Sequence, residues 1–450
     1  MESKGRVVVI GFGSAGTAAA RSLVAAGWQV TLVERDRAGG TCIWWGCMPK
    51  KALYNAARAR RATERAEMFG LTPAEGYDWQ SVLAWKWHAQ ETYAGDQEAS
   101  ATERGIRVVR GEARFSDIDT VVVDDTEVLP FDHAVIATGS RPVLPPVPGI
   151  GLADTSVDAL SYPEVPRSML VVGGGLIGME LSAVYAAFDT EITLITSGPR
   201  PLAALDPDTA AVAVERLVRG GATIHTRCRL TAIAGEPGAL EATYTDAEGR
   251  SHSGTWERVL VATGRAPALE GLALDVAGVE VDSSGHIVHD GYLRTTNPSV
   301  WTAGDAAGGM MRTAVASYEG RTVAASIDSG TPRLPDHSAA PTCVFTSPQI
   351  GQAGITEAEA RQQGIAIDVH TQPFEFLGAA VIEDQRDGLV KLIFAEDDGR
   401  LLGAHIAGPT AGDLAYAMSV ALKHGATRDS LRATIGIHPA YNEALNWAAW

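Results

Sequence analysis

Short runs of apolar, β-branched residues recur along this chain of 450 residues, and several of them pass directly into glycines and then a helical pattern. Arg6–Ile10 is the first, with the unbroken hydrophobicity of a strand buried on both faces. Gly11-Phe12-Gly13-Ser14-Ala15-Gly16 follows at once, then an Ala-rich helix to about Ala26 and a strand, Gln29–Val33, closed by Glu34. The same order returns later. Met169–Val172 is a strand, Gly173-Gly174-Gly175-Leu176-Ile177-Gly178 the glycine turn, Met179–Ala187 a helix and Glu191–Thr196 the answering strand. Two more apolar strands, from His133 and from Val259, both run out in Ala-Thr-Gly, at Thr138-Gly139 and Thr263-Gly264.

Between and beyond these modules the pattern changes. Ala52–Met68 and Trp79–Arg104 read as long helices, and Val108–Phe115 and Thr120–Val123 as strands of a small sheet. Arg141 to Gly149 holds four prolines in nine residues, which cannot continue a sheet and mark a domain crossing. Val300–Asp305 is another strand, ending in Gly-Asp. After about Pro335, strands at Pro341–Phe345, Ala366–Gln372, Leu389–Phe394 and Leu401–Ile406 are followed by helices, with no nucleotide fingerprint. The expected fold is α/β: two Rossmann-like dinucleotide-binding domains and a C-terminal α+β domain. The expected boundaries are 1–148 with 268–335 for the first, 149–267 for the second and 336–450 for the last. The length agrees, since 450 residues exceed what one hydrophobic core supports.

A strand, G-x-G-x-x-G, a helix, a strand and an acid, in that order, are what dinucleotide binding requires. The glycines let backbone approach a pyrophosphate at a helix N-terminus, and Glu34 is placed to accept from the ribose hydroxyls. The second copy lacks the acid. Its strand ends Thr196-Ser197-Gly198-Pro199-Arg200, and small hydroxyls with a nearby Arg suit a 2′-phosphate better than a free 2′-hydroxyl.

The stretch Gly39-Gly40-Thr41-Cys42-Ile43-Trp44-Trp45-Gly46-Cys47 carries the chemistry. A helix starting near Thr41 puts Cys42 in its first turn, where free N–H groups and the macrodipole favour a thiolate. Sulfurs at i and i+5 meet only if the helix is distorted near Gly46, where the missing side chain permits it. Near the other end stands His438-Pro439-Ala440-Tyr441-Asn442-Glu443. Pro439 suits the first position of a short helix, and Glu443, about one turn on, is placed to hold the His438 imidazole and leave Nε2 for proton transfer.

Composition narrows the partners. Four cysteines are too few for a disulfide scaffold and show no zinc-ligand spacing, so a close pair points to catalysis in the reducing cytoplasm. The net charge of −17 disfavours nucleic acid and anionic membranes. No apolar run approaches the ~18 residues of a spanning helix. Residues 1–6 lack the apolar core of a secretory leader.

These motifs, in this order and over nearly the whole chain, resemble the class I pyridine nucleotide–disulfide oxidoreductases, the family of glutathione reductase, dihydrolipoyl dehydrogenase and mercuric reductase. The resemblance implies that Gly11, Gly13, Gly16, Glu34, Thr41, Ala113, Thr138, Gly139, Asp305 and Ala314 hold FAD, with Lys51 and Glu180 an ion pair beside the flavin. It implies that Gly173, Gly175 and Gly178 hold the nicotinamide cofactor. With Ser197 and Arg200 at the strand end reading as a 2′-phosphate site, and Gly264 beside them in the expected cofactor site, NADPH is expected, NADH being the alternative. Cys42 matches the thiol that attacks substrate and Cys47 the thiol that faces the flavin. His438 and Glu443 match an acid–base dyad supplied across a homodimer by the partner subunit.

The expected reaction is reduction of a small disulfide by NAD(P)H. Oxidation of a dihydrolipoyl-type dithiol with NAD, and reduction of metal ions or quinones at the same centre, are the alternatives. Three departures from the family stand out. Trp44 and Trp45 replace a small or polar pair, either lining the approach to Cys42 or serving as core aromatics. Leu176 stands where glutathione reductase has a gating Tyr. The C-terminus, Asn446 to Trp450, has no cysteines.

Overall fold

The computed structural model describes residues 3–73 and 76–450. Its contacts divide the chain into two units. One comprises Met1–Ala52, Leu83–Val143 and Gly264–Asp336; the other comprises Leu53–Val82, Leu144–Thr263 and His337–Trp450. Met1 and Glu2, which the reading of the N-terminus included, lie outside the described residues.

In the first unit, β1 (Arg6–Ile10), α1 (Ser14–Ala25) and β2 (Gln29–Glu34) form the opening module. β1 pairs in parallel with β2, Val7 opposite Val30, and on its other edge with His133–Ile136, Val7 opposite His133. Val300–Thr302 and β3 (Arg107–Arg110) complete a five-stranded parallel sheet in the order 300–302, 133–136, β1, β2, β3. Val7, Val8, Val9 and Ile10 are all buried, as a strand covered on both faces must be. α1 and the helix Thr313–Ser329 cover one face, while Phe115, Val121 and Leu129 of a small antiparallel sheet pack in the core on the other.

The second unit contains a parallel sheet in the order Thr223–Thr226, Glu191–Thr196, Ser168–Val172, Arg258–Val261, and a three-stranded antiparallel sheet over residues 229–256. It also holds a five-stranded antiparallel sheet, ordered Thr342–Val344, Gln349–Gly354, Leu401–Gly408, Leu389–Ala395, Ile367–Pro373. Lys391, buried in that last sheet, pairs with Asp206 at 3.0 Å and with Asp208 and Glu357 at 2.7 Å. A buried charge needs such compensation to be tolerated.

The structure corrects several expected elements. The stretch Trp79–Arg104 is two helices, Trp79–Ala94 and Gln97–Glu103, because Gly95 turns left-handed and the Asp96 side chain accepts from the Ala99 N–H at 2.8 Å to cap the second. Val108–Phe115 is not one strand. Gly111, at φ 144°, separates β3 from Ala113–Asp117, which belongs to the small sheet. The helix expected from Ala52 to Met68 starts earlier, at Cys47, and gives way after Glu64 to a 3₁₀ turn at Ala66–Phe69. Pro439 is not the first residue of the final helix, which spans Glu443–Trp447.

Candidate active site

The two glycine turns are built alike. A Cβ on Gly11 would lie 2.3 Å from the Ala137 carbonyl oxygen, and one on Gly16 would lie 1.9 Å from that of Gly11. The second copy repeats this, Gly173 at 2.3 Å from the Ala262 oxygen and Gly178 at 1.9 Å from that of Gly173. Gly13 and Gly175 face open space instead. Outer glycines that close the turn and a middle glycine left bare make a cradle for a pyrophosphate at each helix start.

A cavity of about 330 Å³ adjoins the first turn, lined among others by Gly11, Glu34, Ala113, Thr138 and Glu270. The Glu34 carboxylate accepts from the Phe12 N–H at 2.7 Å and the Asp36 N–H at 2.8 Å, which fixes the glycine turn and leaves each oxygen a free lone pair for a ribose hydroxyl. Among the described residues, the buried Thr138 hydroxyl lining the same cavity has no hydrogen-bond partner. These residues fit the adenosine end of FAD. Asp305 accepts from the Ser140 hydroxyl, which in turn accepts from Arg265 Nε at 2.8 Å. Gly139 is left-handed beside them, and Ala314 is exposed at the start of the Thr313–Ser329 helix.

In the second module, Ser197 is exposed just past the strand Glu191–Thr196. Gly264, left-handed at φ 142°, follows the strand Arg258–Val261 in the chain. Arg200 is not free to reach out. Its guanidinium donates to the carbonyls of Leu202 at 2.8 Å and Leu205 at 2.6 Å, rigidifying a turn whose Leu202 N–H bonds Gly174 O at 2.7 Å. Arg227, exposed beside this strand end, ties its N–H to the Gly198 carbonyl at 2.9 Å. Glu180 is 2% exposed and accepts from the Phe345 N–H at 2.8 Å.

The two cysteines stand on separate helices, α2 (Gly40–Trp44) and α3 (Cys47–Glu64). Cys42 lies in the first turn of α2 and Cys47 opens α3, the break falling at Trp45–Gly46. Cys47 Sγ lies 3.1 Å from Thr313 Oγ1, at the N-terminus of the Thr313–Ser329 helix. The Cys42 thiol donating to Cys47, the Thr313 hydroxyl and the charges of Lys51 and Lys50 hold the Cys47 pKa down at about 6, against the opposing effect of burial. Donating that hydrogen bond, and burial, push Cys42 far up. One proton shared between two thiols thus leaves the thiolate on Cys47. Lys51 stands half-buried one turn after Cys47, and Thr41 is exposed.

Trp44 donates from its indole N–H to the Ala38 carbonyl at 2.9 Å. The Arg37 guanidinium lies over both rings, 4.9 Å from the centroid of Trp44 and 5.9 Å from that of Trp45. Both rings are half-buried, which is not the burial of core aromatics.

His438 Nδ1 is 2.9 Å from Glu443 Oε1, and Glu443 Oε2 accepts from the Ala440 N–H at 3.1 Å. Burial opposes ionisation of Glu443, but these two bonds outweigh it and leave its pKa low. The imidazole is 76% exposed, with no bond to Nε2 among the described residues.

Sequence reasoning missed Thr313, Ser140 and Arg265, which no motif marks. Thr313→Val removes the hydroxyl that stabilises the Cys47 thiolate. A hydrogen bond to a charged group is worth about 1.5–3 kcal/mol, so the Cys47 midpoint is expected to rise by at least roughly one pH unit. Thiolate ultraviolet absorbance of the reduced protein against pH measures it; an unmoved midpoint removes Thr313 from the site.

A family model described as pyridine nucleotide-disulphide oxidoreductase matches residues 5–320, and the dimerisation domain of the same name matches residues 340–449. A dihydrolipoyl dehydrogenase of Halobacterium salinarum is 35% identical, covering 98% of this chain and 95% of that protein. A mercuric reductase of Streptomyces lividans is 34% identical over the same shares. Among solved structures, the HOCl-induced flavoprotein disulfide reductase RclA of Escherichia coli superposes with a TM-score of 0.89 at 27% identity, covering 99% of both chains. A Cu(II) complex of a cysteine-to-serine mutant of that reductase superposes equally well.

Proposed function

The chain belongs to the pyridine nucleotide–disulphide oxidoreductases, FAD-dependent enzymes that use NAD(P)H, and from that premise we propose that it reduces a small disulfide through Cys42 and Cys47. The observation that carries this reading is the placement of the pair: Cys42 lies in the first turn of α2, Cys47 opens α3 with Thr313 Oγ1 3.1 Å from its sulfur, and the hydrogen bond from Cys42 lowers the Cys47 pKa while raising that of Cys42. Bound FAD supplies the two-electron link between nicotinamide and the cysteine pair. Gly11, Gly13, Gly16, Glu34 and Thr138 hold its adenosine and pyrophosphate in this reading, and Gly173, Gly175 and Gly178 hold the nicotinamide cofactor.

His438, steadied by Glu443, takes the Cys42 proton. The Cys42 thiolate attacks one sulfur of the substrate, forming a mixed disulfide, and the departing thiolate takes the proton back from His438. The Cys47 thiolate then attacks the Cys42 sulfur, releasing the second half of the substrate as a thiolate, which takes its proton from water, and closing the Cys42–Cys47 disulfide. Two electrons have moved from the cysteine pair to the substrate. The active unit is proposed to be a homodimer in the cytoplasm, where thiol pools keep such a pair in use.

A second reading has specific support, because the relatives include a mercuric reductase and a flavoprotein described as a Cu(II) complex. Metal ions would then be substrates of the same dithiol. A third, oxidation of a dihydrolipoyl-type dithiol with NAD, follows from the dihydrolipoyl dehydrogenases.

Steady-state assays of the purified protein separate the three: small disulfides and metal ions with NADPH and NADH, and dihydrolipoamide with NAD. Disulfide reduction is expected to dominate and to fall when His438 is lost, whereas metal-ion reduction needs no leaving-group acid and would not. NADPH is expected to exceed NADH in kcat/KM by about tenfold, one charge-assisted contact to the 2′-phosphate beside Ser197, with Arg227 the cation at hand. Equal or better use of NADH removes that assignment.

A further inference from the structure

The cysteines can meet only because the helix breaks between them, and the break has a cost in backbone hydrogen bonds. The last bond of α2 runs from the Trp45 N–H to the Thr41 carbonyl at 2.9 Å, and on the far side the Lys50 N–H bonds the Gly46 carbonyl at 3.2 Å. In an unbroken helix the carbonyls of Ile43 and Trp44 would accept from the amides of Cys47 and Met48. Here one side chain satisfies both. Gln90, 0% exposed on α4 (Trp79–Ala94), donates from Nε2 to the Ile43 carbonyl at 2.8 Å and to the Trp44 carbonyl at 3.1 Å. Among the described residues, its own Oε1 is buried with no partner, so the amide is oriented by those two carbonyls.

We propose that Gln90 is a positioning residue for the redox pair: by capping the two carbonyls freed at the break, it holds the segment in the broken form that brings Cys42 and Cys47 together. The inference deepens the dithiol reading above and rests on it. Two helix geometries compete for residues 43–48. A continuous helix satisfies the carbonyls itself but turns residues five apart about 140° away from each other, separating the sulfurs. The broken form leaves the carbonyls needing a donor from outside. Gln90 is that donor, so removing it shifts the balance toward the continuous form.

The consequence reads out in the thiols. With the sulfurs apart, Cys47 loses the hydrogen bond donated by Cys42, which is the largest effect lowering its pKa. The disulfide is held less favourably and becomes more oxidising.

Gln90→Met keeps the volume and removes the donor, while Gln90→Asn keeps an amide but withdraws it by one methylene. Both variants are expected to bind flavin as the parent does. In both, the pH midpoint of the Cys47 thiolate, read from ultraviolet thiolate absorbance of the reduced protein, should rise from about 6 towards the ordinary thiol range. The dithiol–disulfide equilibrium against a glutathione buffer should shift about tenfold towards the dithiol, equivalent to roughly 30 mV for a two-electron couple. A purely packing role would spare the volume-matched Met variant and affect only Asn. That pattern, or an unmoved midpoint and equilibrium in whichever variant folds, overturns the proposal. Failure of the dithiol reading itself shows differently, as a parent protein whose Cys42 and Cys47 form no disulfide at any glutathione ratio.

Discussion

Cys42→Ser is expected to abolish disulfide turnover, lowering kcat by at least ~10⁴-fold, while leaving a long-wavelength absorbance band from the Cys47 thiolate beside bound oxidised flavin. Loss of a nucleophile typically costs this much or more. The band survives because the donors that keep Cys47 ionised do not all depend on Cys42: the Thr313 hydroxyl and the Lys51 and Lys50 charges remain. Without a partner sulfur, Cys47 can no longer be tied up in a disulfide, so the band persists without added reductant. Cys47→Ser loses the band altogether. It still has Cys42 to attack substrate, so it should trap one equivalent as a mixed disulfide that nothing resolves. The sign with pH follows from the lowered pKa: the Cys47 thiolate is present above about 6 and is lost as pH falls through it. If Cys47→Ser retains the band, the two roles are reversed.

A His438→Ala homodimer should lose about 10²–10⁴-fold in disulfide turnover, the usual contribution of a positioned acid–base group. Mixing it with Cys42→Ser subunits should bring activity back. The proposal is that His438 of one copy serves Cys42 of the other, so each mixed dimer holds one site with both groups intact, and random mixing restores roughly a quarter of all sites. The surface around the dyad supports this arrangement. Ile435, 95% exposed, and Ile437, 71% exposed, come shortly before His438 in the chain, and the region matches a dimerisation domain. Apolar side chains left this bare on one face are usually covered by a partner. Coexpression of the two variants, with activity measured per mixed dimer, gives the answer. No recovery means that each chain uses its own His438, and a shared site is then ruled out.

Both fingerprints were legible because their physics is local. A glycine needed where backbone passes within 2.3 Å of a would-be Cβ announces itself within six residues, and the acid closing β2 stands at a fixed distance along the same module. The helix break at Gly46 and the Glu443–His438 pair were legible for the same reason. The break at Gly95-Asp96 carried a local signal too, a left-handed glycine followed by a capping Asp, but the helical periodicity on both sides masked it. Arg200 shows the limit of such reading. Its spacing suits a phosphate, yet the turn after it, left-handed at Leu202, turns the Leu202 and Leu205 carbonyls onto the guanidinium, and these are met first.

The sequence by itself therefore determined two dinucleotide modules, a redox cysteine pair, a His–Glu dyad and a C-terminal α+β domain, since each is written in residues a few positions apart. Only the tertiary structure decided which cysteine bears the charge and what keeps the pair in place. Thr313, 266 residues from Cys47, reaches it through the folding of the Thr313–Ser329 helix onto the first unit's sheet, and Gln90 reaches Ile43 across 47 residues. No spacing rule connects such positions, because the chain between them is free to take any path and only the packed core fixes where its ends meet.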